Sequence, residues 1–390
     1  MKERVRSAGS ILLVDDEVNI LNALNRELHS WASGKGIAMA TATSAQDALL
    51  LLGERADEVA VIVSDLRMPG MLGSDFLLEV RERWPDIITI LLTGYSETEE
   101  VMKAVKAGIF SYITKPWDPD YLRSELEKAL EIHDIRVQNR LYRTTLEEEL
   151  KWAGEMQRAL LKPRAEGIAG MEFQSSYEPM PGLYCGGDYY DLVALGPGRY
   201  IALLGDVAGH GLKAALVTGI LRAVIYPEYI RTIGQRRFSP SAFLGWLNDR
   251  MSFELSKTSG LVITFFAGLV DLAEGVFTYA NAGHNRPFIV HEGKARELPL
   301  SGPGFGFADS IAYEEDSVRI VSGDLLVLFT DGLVEVGAKD EGAPPVDLAG
   351  VIERTPWGPD WNKRVMEAAL ETTGAKHFED DVTLMAARIS

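Results

Sequence analysis

Two sets of residues in this sequence have the types and spacing to do chemistry, and both are built mainly from aspartate. The first comprises Asp15, Asp16, Asp65, Thr93 and Lys115. Three carboxylates packed together repel one another unless a divalent cation joins them, and Mg2+ prefers such oxygen ligands. A carboxylate beside Mg2+ and an ammonium can attack phosphorus and form an acyl phosphate. Asp65 is best placed as that nucleophile and as one metal ligand, with Asp15 and Asp16 as the others. Lys115 would neutralise a phosphoryl oxygen, and Thr93 would hydrogen-bond to the product. The second set is four motifs: GGDYYD (186–191), GDVAGHG (205–211), TDGLVE (330–335) and EDDVT (379–383). Carboxylates so dispersed yet alike in context suggest one oxygen-rich site for two hard cations. Such a pair clamps an in-line displacement at phosphorus, which makes phosphoester hydrolysis the expected reaction. Singly, Asp after a strand or beside Gly is ordinary turn chemistry. The argument rests on the sets.

The elements that must position these groups differ between the two halves. Short apolar runs at Ile11–Val14, Ile37–Thr41, Val59–Ser64, Ile88–Leu92 and Phe110–Ile113 predict five strands. Amphipathic stretches between them (Val18–Trp31, Ala45–Gly53, Asp75–Arg83, Glu97–Ala107) predict helices and hence a doubly wound parallel sheet. In such sheets the site lies at the carboxyl ends of the strands, and all five residues of the first set fall there. Beyond about residue 165 the pattern changes to strands separated by Gly/Asp turns. These are Tyr200–Leu204, Thr264–Val270, Gly275–Tyr279, Pro287–His291 and Asp324–Thr330, with helical patterns at Leu212–Ile225, Ser241–Leu255 and Trp361–Thr372. An α+β domain with antiparallel sheets is expected.

Between the halves, residues 118–161 contain no Gly before Gly154 and no Pro after Pro119. A helix of that length spans about 60 Å. Ile132, Ile135, Asn139, Tyr142, Leu146, Leu150, Ala153, Gln157 and Leu160 follow heptad spacing with one four-residue stutter. They form a candidate seam for a parallel dimer; the alternative is a solvated linker helix.

Charge follows the same division. The net −18 resolves into +2 over residues 1–9, −9 over 10–130, zero over 131–162 and −11 over 163–390. Two acidic blocks repel nucleic-acid phosphates and flank a neutral connector. An output block of net −11 without a basic reading helix argues against a transcription factor. No apolar run approaches the ~20 residues of a membrane helix. The opening MKERVRSAGS lacks the apolar core of a secretory signal. The single cysteine, Cys185, fits a reducing cytoplasm and a packing role, and rules out cysteine-rich zinc sites. His210 and His284 are expected in structural turns. Arg231, Arg236 and Arg237, within Tyr226–Pro240, read as a solvated loop or, less simply, as a docking patch for an acidic partner.

Residues 10–125 resemble the receiver domains of bacterial response regulators through LVDDE (13–17), SDLRMPGM (64–71), LTGYS (92–96) and TKPW (114–117). The resemblance implies a flavodoxin-like fold and Mg2+. It also implies phosphorylation of Asp65 by a sensor histidine kinase or phosphotransfer protein, a cis Lys115–Pro116 bond and a Thr93/Tyr112 switch pair. Residues 163–390, with the approach EMQRALLKP (155–163) and YANAGHNRP (279–287), resemble the PPM-type metal-dependent Ser/Thr protein phosphatases of the SpoIIE-like branch. That resemblance implies a β-sandwich with flanking helices and two Mn2+ or Mg2+ ions. Asp188, Asp206 and the Val207 carbonyl would hold one ion. Asp206 would bridge to a second, held by Asp331 and Asp380, with Asp381 as the alternative to Asp380. The segment SGPGFGF (301–307) departs from the family's tighter Gly/Pro turn. Residues 126–162 are left as the linker between the two domains. The expected protein is a cytoplasmic, homodimeric response regulator acting on a phosphoprotein, the first candidate being an anti-anti-sigma protein of the STAS type. The competing expectation is a catalytically silent phosphatase-like docking module.

Overall fold

The structure, a computed structural model, describes residues 9–94, 98–106, 108–163, 168–231, 238–254, 261–308, 310–337 and 346–390. Two compact units divide the chain, the first ending at Leu146 and the second running from Glu147 to Ser390.

In the first unit five strands, β1 (Ser10–Val14), β2 (Met39–Ala42), β3 (Val59–Asp65), β4 (Ile88–Thr93) and β5 (Ser111–Thr114), form a parallel sheet in the order β2-β1-β3-β4-β5. Both faces are covered, so β3 and β4 are buried along their whole length and read as near-continuous apolar runs. The intervening helices are α1 (Val18–Lys35), α2 (Ala45–Arg55), α3 (Gly73–Arg83) and α4 (Thr98–Lys106). Strand β2 starts two residues later than the Ile37 onset expected from hydropathy. Gly36, at φ 70°, closes α1, and the Ile37 amide is spent on the Ala32 carbonyl at 2.9 Å, so the chain cannot yet pair as a strand.

Helix α5 (Pro119–Leu161) is a single run of 43 residues that links the units. Its first part packs with Leu122, Leu126 and Ala129 under the parallel sheet, with Ile132 half-buried beside them. Arg136 Nη1 donates to the Pro85 carbonyl at 2.8 Å, and Arg140 pairs with Asp86. Ile135, Tyr142 and Leu146 of the expected seam are exposed. Gln157 is not available to a partner helix. It is only 5% exposed and lies inside the second unit, so the heptad pattern mistook a residue packed within its own chain for one facing another.

The second unit is a sandwich of two antiparallel five-stranded sheets. One has the order β13-β10-β9-β8-β7, from β7 (Asp188–Gly196), β8 (Arg199–Val207), β9 (Ile263–Asp271), β10 (Val276–Ala282) and β13 (Asp316–Arg319). The other has the order β12-β11-β14-β15-β6, from β6 (Met171–Glu178), β11 (Phe288–His291), β12 (Lys294–Glu297), β14 (Leu325–Phe329) and β15 (Val382–Ile389). The flanking helices are α6 (Leu212–Val224), α7 (Pro240–Glu254), α8 (Leu348–Arg354) and α9 (Trp361–Thr373). Strand β15 escapes a sequence reading because VTLMAARI is rich in good helix formers. Its pairing with β14 and β6 overrides that propensity.

The expected solvated loop over Tyr226–Pro240 is only partly one. Ile225–Ile230 continues α6 as a π-helical turn, and Tyr229 packs against Phe243 and Trp246 at centroid distances of 4.9 and 4.7 Å. Arg231 is exposed. Arg236 and Arg237, like Tyr95 and Ser96 of the LTGYS motif, lie outside the described residues. In the SGPGFGF segment the buried Phe305 bridges to Ile263.

Candidate functional site

The parallel sheet brings the first set together at one edge. Asp15 and Asp16 follow β1, Asp65 ends β3, Thr93 ends β4 and Lys115 follows β5. Lys115 Nζ stands 2.7 Å from Asp15 Oδ2 and also pairs with Asp65. Backbone amides hold the acids in place: Glu17 N–H donates to Asp15 at 2.9 Å and Arg67 N–H to Asp65 at 2.9 Å. Burial raises the Asp65 carboxyl above its ordinary range against the pull of Lys115. Burial works against the Lys115 ammonium too, but its bonds to Asp15 and Asp65 outweigh that and raise it. Asp16 is exposed at the rim, Thr93 is buried, and Tyr112 is about half exposed, at 46%. The Lys115–Pro116 peptide is cis.

The second set converges at one end of the sandwich, with both sheets contributing. Asp188, at the start of β7, is the direct register partner of Asp206 on β8, so their side chains emerge on the same face. From the other sheet, Asp331 opens a 3-10 turn just beyond β14, and Asp380 and Asp381 stand just before β15. The buried Asp188 Oδ2 accepts from Thr330 Oγ1 at 2.9 Å and Thr383 Oγ1 at 2.6 Å, which ties the strand of one sheet to two strands of the other. The Val207 backbone lies against Gly187. Its amide donates to the Gly187 carbonyl at 3.1 Å, and a Cβ on Gly187 would stand 2.5 Å from the Val207 oxygen.

Asp380 and Asp381 have different surroundings. Asp381 Oδ1 and Oδ2 accept the Met180 and Gly187 amides at 2.8 and 2.7 Å. Asp381 therefore clamps the GGD loop, and a Cβ on Gly186 would collide with its carboxylate at 2.0 Å. Among the described residues Asp380 accepts the Asp381 amide alone, at 2.8 Å.

Like charge and burial dominate this cluster. Burial, then Asp331 and Asp380, push the Asp206 carboxyl up to about 7. Burial, then Glu335 and Asp380, push Asp331 to about 6. Asp188 is raised well above the usual range by burial and by Asp206. No lysine or arginine among the described residues makes an ion pair with Asp188, Asp206, Asp331 or Asp380. This unpaired oxygen-donor set fits hard divalent cations. Among the described residues, no three His, Cys, Asp or Glu side chains already stand in finished metal-binding geometry.

His284 is fully buried and neutral, its imidazole pushed down to about 3 by burial. Its Nδ1 lies 2.8 Å from Thr264 Oγ1, its amide donates to Asn281, and it does not enter the cluster. His210 is exposed and Cys185 buried.

Several participants were not assigned from sequence. Thr330, Glu335 and Thr383 sit inside the quoted motifs TDGLVE and EDDVT, so adjacency was the available signal. Gln157 sits inside the quoted approach EMQRALLKP but was read as a seam residue. Its Nε2 donates to the Gly186 carbonyl at 2.7 Å and to Thr218 Oγ1 at 2.9 Å, and its Oε1 accepts the Gly186 amide at 3.1 Å. One turn earlier, a Cβ on Gly154 would stand 2.1 Å from the Tyr184 carbonyl. The last turns of α5 therefore seat directly on the loop that carries Asp188. Nearby, the buried Arg222 pairs with Asp191 of β7 and donates to the Lys162 carbonyl at 3.3 Å.

A doubly wound sheet with this acidic edge, followed by a sandwich with carboxylates at one end, defines a receiver domain joined to a PPM-type phosphatase domain. The family model for the response regulator receiver domain matches residues 11–127. That for stage II sporulation protein E (SpoIIE) matches residues 196–390, half of the chain, and the protein belongs to that family. Among curated relatives, the hydrogenase transcriptional regulatory protein HoxA of Cupriavidus necator is 40% identical over 140 residues, 36% of this chain and 27% of that protein. Protein IcfG of Synechocystis is 25% identical over 208 residues, 48% of this chain and 32% of that protein. The chain thus spans about a third or less of these relatives' lengths. The SiaA-PP2C domain of Pseudomonas aeruginosa has the same fold as the second unit: TM-score 0.54 at 23% identity, covering 64% of this chain and 99% of that one. Among the described residues no helix is long and apolar enough to cross a membrane.

Proposed function

We propose that this protein is a cytoplasmic response regulator in which phosphorylation of Asp65 gates a metal-dependent phosphoserine/phosphothreonine protein phosphatase. The observation that carries the enzymatic part is the cluster of buried Asp188, half-buried Asp206 and Asp331 and exposed Asp380, with which no lysine or arginine among the described residues makes an ion pair.

In the receiver, Asp15, Asp16 and Asp65 would hold Mg2+. A sensor histidine kinase or phosphotransfer protein supplies the phosphoryl group. A carboxylate oxygen of Asp65 attacks phosphorus as the donor's bond to it breaks, leaving an acyl phosphate. Lys115, already bonded to Asp65, neutralises a phosphoryl oxygen. Thr93 turns its hydroxyl to the product, and Tyr112 follows as the switch partner.

In the phosphatase domain, Asp188, Asp206 and the Val207 carbonyl would hold one Mn2+ or Mg2+, and Asp206, Asp331 and Asp380 the second. Those cations supply charge neutralisation at the phosphoryl group and activate water for in-line attack. The chain's own residues set the geometry. Thr330 and Thr383 orient Asp188, and Asp381 and Gln157 hold the GGD loop from either side.

The gating route runs along α5. Since Gln157 and Gly154 seat that helix on the Asp188 loop, a change in the helix's packing or dimer state alters the site. Activation on phosphorylation is the expected sign. The exposed Ile135, Tyr142 and Leu146 are the core of the proposed homodimer seam. The substrate is a phosphorylated protein, the first candidate being a STAS-type antagonist of an anti-sigma factor. The test is phosphate release from a phosphoserine protein with Mn2+ or Mg2+, beside Asp331→Asn. Release in the wild type alone supports the enzyme. No metal-dependent release above the variant, across several phosphoproteins, leaves the silent docking module.

A further inference from the structure

The outward face of the β12-β11-β14-β15-β6 sheet carries a cleft of about 620 Å3 between β11–β12 and the start of α8. Alternation along the strands sets its floor. Ile289 and Leu328 point into the core between the sheets, while Phe288 and Phe329 pack with the residues of α8 and α9 and stack at a centroid distance of 5.8 Å. Strand β14 runs towards Asp331, and β11 pairs with it antiparallel, Phe288 opposite Val327. Asn285 and Arg286, which lead into β11, therefore stand at the carboxylate end of β14, and both line the cleft. Cleft and carboxylate site share one wall. In the turn after β14, Asp331 belongs to the site and Glu335 helps to raise both Asp206 and Asp331, whereas Val334 lines the cleft. The rim is polar and loosely engaged. Asp347 caps α8 by accepting the Gly350 amide at 3.0 Å. Among the described residues Arg286 pairs with Glu297 alone, at 3.9 Å, both side chains about half exposed, and the Asn285 side chain makes no hydrogen bond.

We propose that this cleft is a specificity subsite of the carboxylate centre: it receives a large apolar side chain flanking the phosphoresidue of the substrate protein, with Asn285 and Arg286 donating to carbonyl oxygens of the same segment. The inference rests on the phosphatase reading and adds to it which substrates are preferred. A phosphoresidue in a protein arrives with its neighbours, and a site at the end of a sandwich leaves them to run over the adjoining surface. Val334 is three residues past Asp331, a rise of about 6 Å along a tight turn, which an extended substrate covers in about two residues. The paired rings of the floor favour an apolar occupant, which would remove their remaining surface from water. Glu297, Asp347 and the carboxylates beyond Val334 disfavour an acidic flank, against the single guanidinium of Arg286. An exposed pair at the limit of ion-pair distance is weak, so Arg286 can turn from Glu297 to the substrate with little loss.

The test measures kcat/KM of the full chain with Mn2+ on phosphoserine peptides carrying Leu, Ala or Glu at single positions within about four residues of the phosphoserine, beside an aryl phosphate that has no flank. The wild type is expected to prefer Leu to Ala about tenfold or more at one or two positions, through KM rather than kcat, and to take Glu least well. Ala349→Trp, which adds bulk to the cleft from α8, should bring the Leu/Ala ratio near unity; Ala349→Leu, a smaller fill, serves where Ala349→Trp does not fold. Arg286→Ala should raise KM about fivefold for all the peptides and keep the ratio. Because each ratio is internal to one variant, a loss of folded protein cancels from it. A Leu preference that survives filling of the cleft, or a preference for Glu, would overturn the subsite. Aryl phosphate hydrolysis with no flank preference overturns this inference alone, and no metal-dependent hydrolysis of any substrate overturns the phosphatase reading and this inference with it.

Discussion

The molecule contains two aspartate sites that solve the same electrostatic problem in different ways. At the receiver edge the carboxylates bring their own counter-charge: Lys115 is bonded to both Asp15 and Asp65. At the end of the sandwich no lysine or arginine among the described residues pairs with the carboxylates, and Asp206 and Asp331 are pushed up to about 7 and 6 by burial and by their neighbours. A site with an internal cation can hold its shape and await a phosphoryl group. A site without one is under repulsion until cations arrive, so binding, stability and activity should be linked there far more tightly.

The largest expected effect that tests this contrast is on turnover. Asp206→Asn or Asp331→Asn should lower metal-dependent phosphate release about a thousandfold, whereas Lys115→Met should leave basal release intact and abolish its response to an acyl-phosphate donor. Basal release lost in Lys115→Met would erase the distinction.

Next is stability. In EDTA the folded Asp206 and Asp331 hold protons that the unfolded chain, titrating near about 3.9, releases. Melting temperature should therefore fall as pH rises from about 4 to about 7. Mn2+ should flatten that fall, and Asp206→Asn should raise the cation-free melting temperature at neutral pH. A cation-free domain whose stability rises over that range would contradict the repulsion.

A smaller effect is expected at the seat of the linker helix. Gln157→Ala leaves both polar groups of Gly186 without their partner, at about 1–3 kcal/mol of local cost. It should lower turnover and weaken the response to Asp65 modification, while Gln157→Glu should fail to restore either. Full gating in Gln157→Ala would remove α5 from the route. Smallest is the seam: Tyr142→Asp/Leu146→Asp should weaken self-association in sedimentation velocity, with both domains still folded.

Legibility followed the same contrast. The receiver site could be read because each residue ends or follows a strand of one parallel sheet, so strand order in sequence maps directly onto one edge. The phosphatase carboxylates could be found as motifs but not arranged, because the packing of one sheet on the other joins residues as distant as Asp188 and Thr383. Asp380 and Asp381 are indistinguishable in sequence; only the amides of Met180 and Gly187 separate them. Gln157 fitted the heptad because helical period marks a face without saying what covers it. Strand β15 was hidden by its own helix-forming residues, and its place between β14 and β6 comes from pairing alone.

The most direct test of a receiver-gated phosphatase is the rate of Mn2+-dependent phosphate release from a phosphoserine protein, measured with and without beryllofluoride as the acyl-phosphate mimic, in the wild type and in Asp65→Asn. A change of about fivefold or more in the wild type, and none in Asp65→Asn, is the predicted result. A wild-type rate that is metal-dependent but indifferent to the mimic would contradict the gating, and no metal-dependent rate at all would contradict the enzyme.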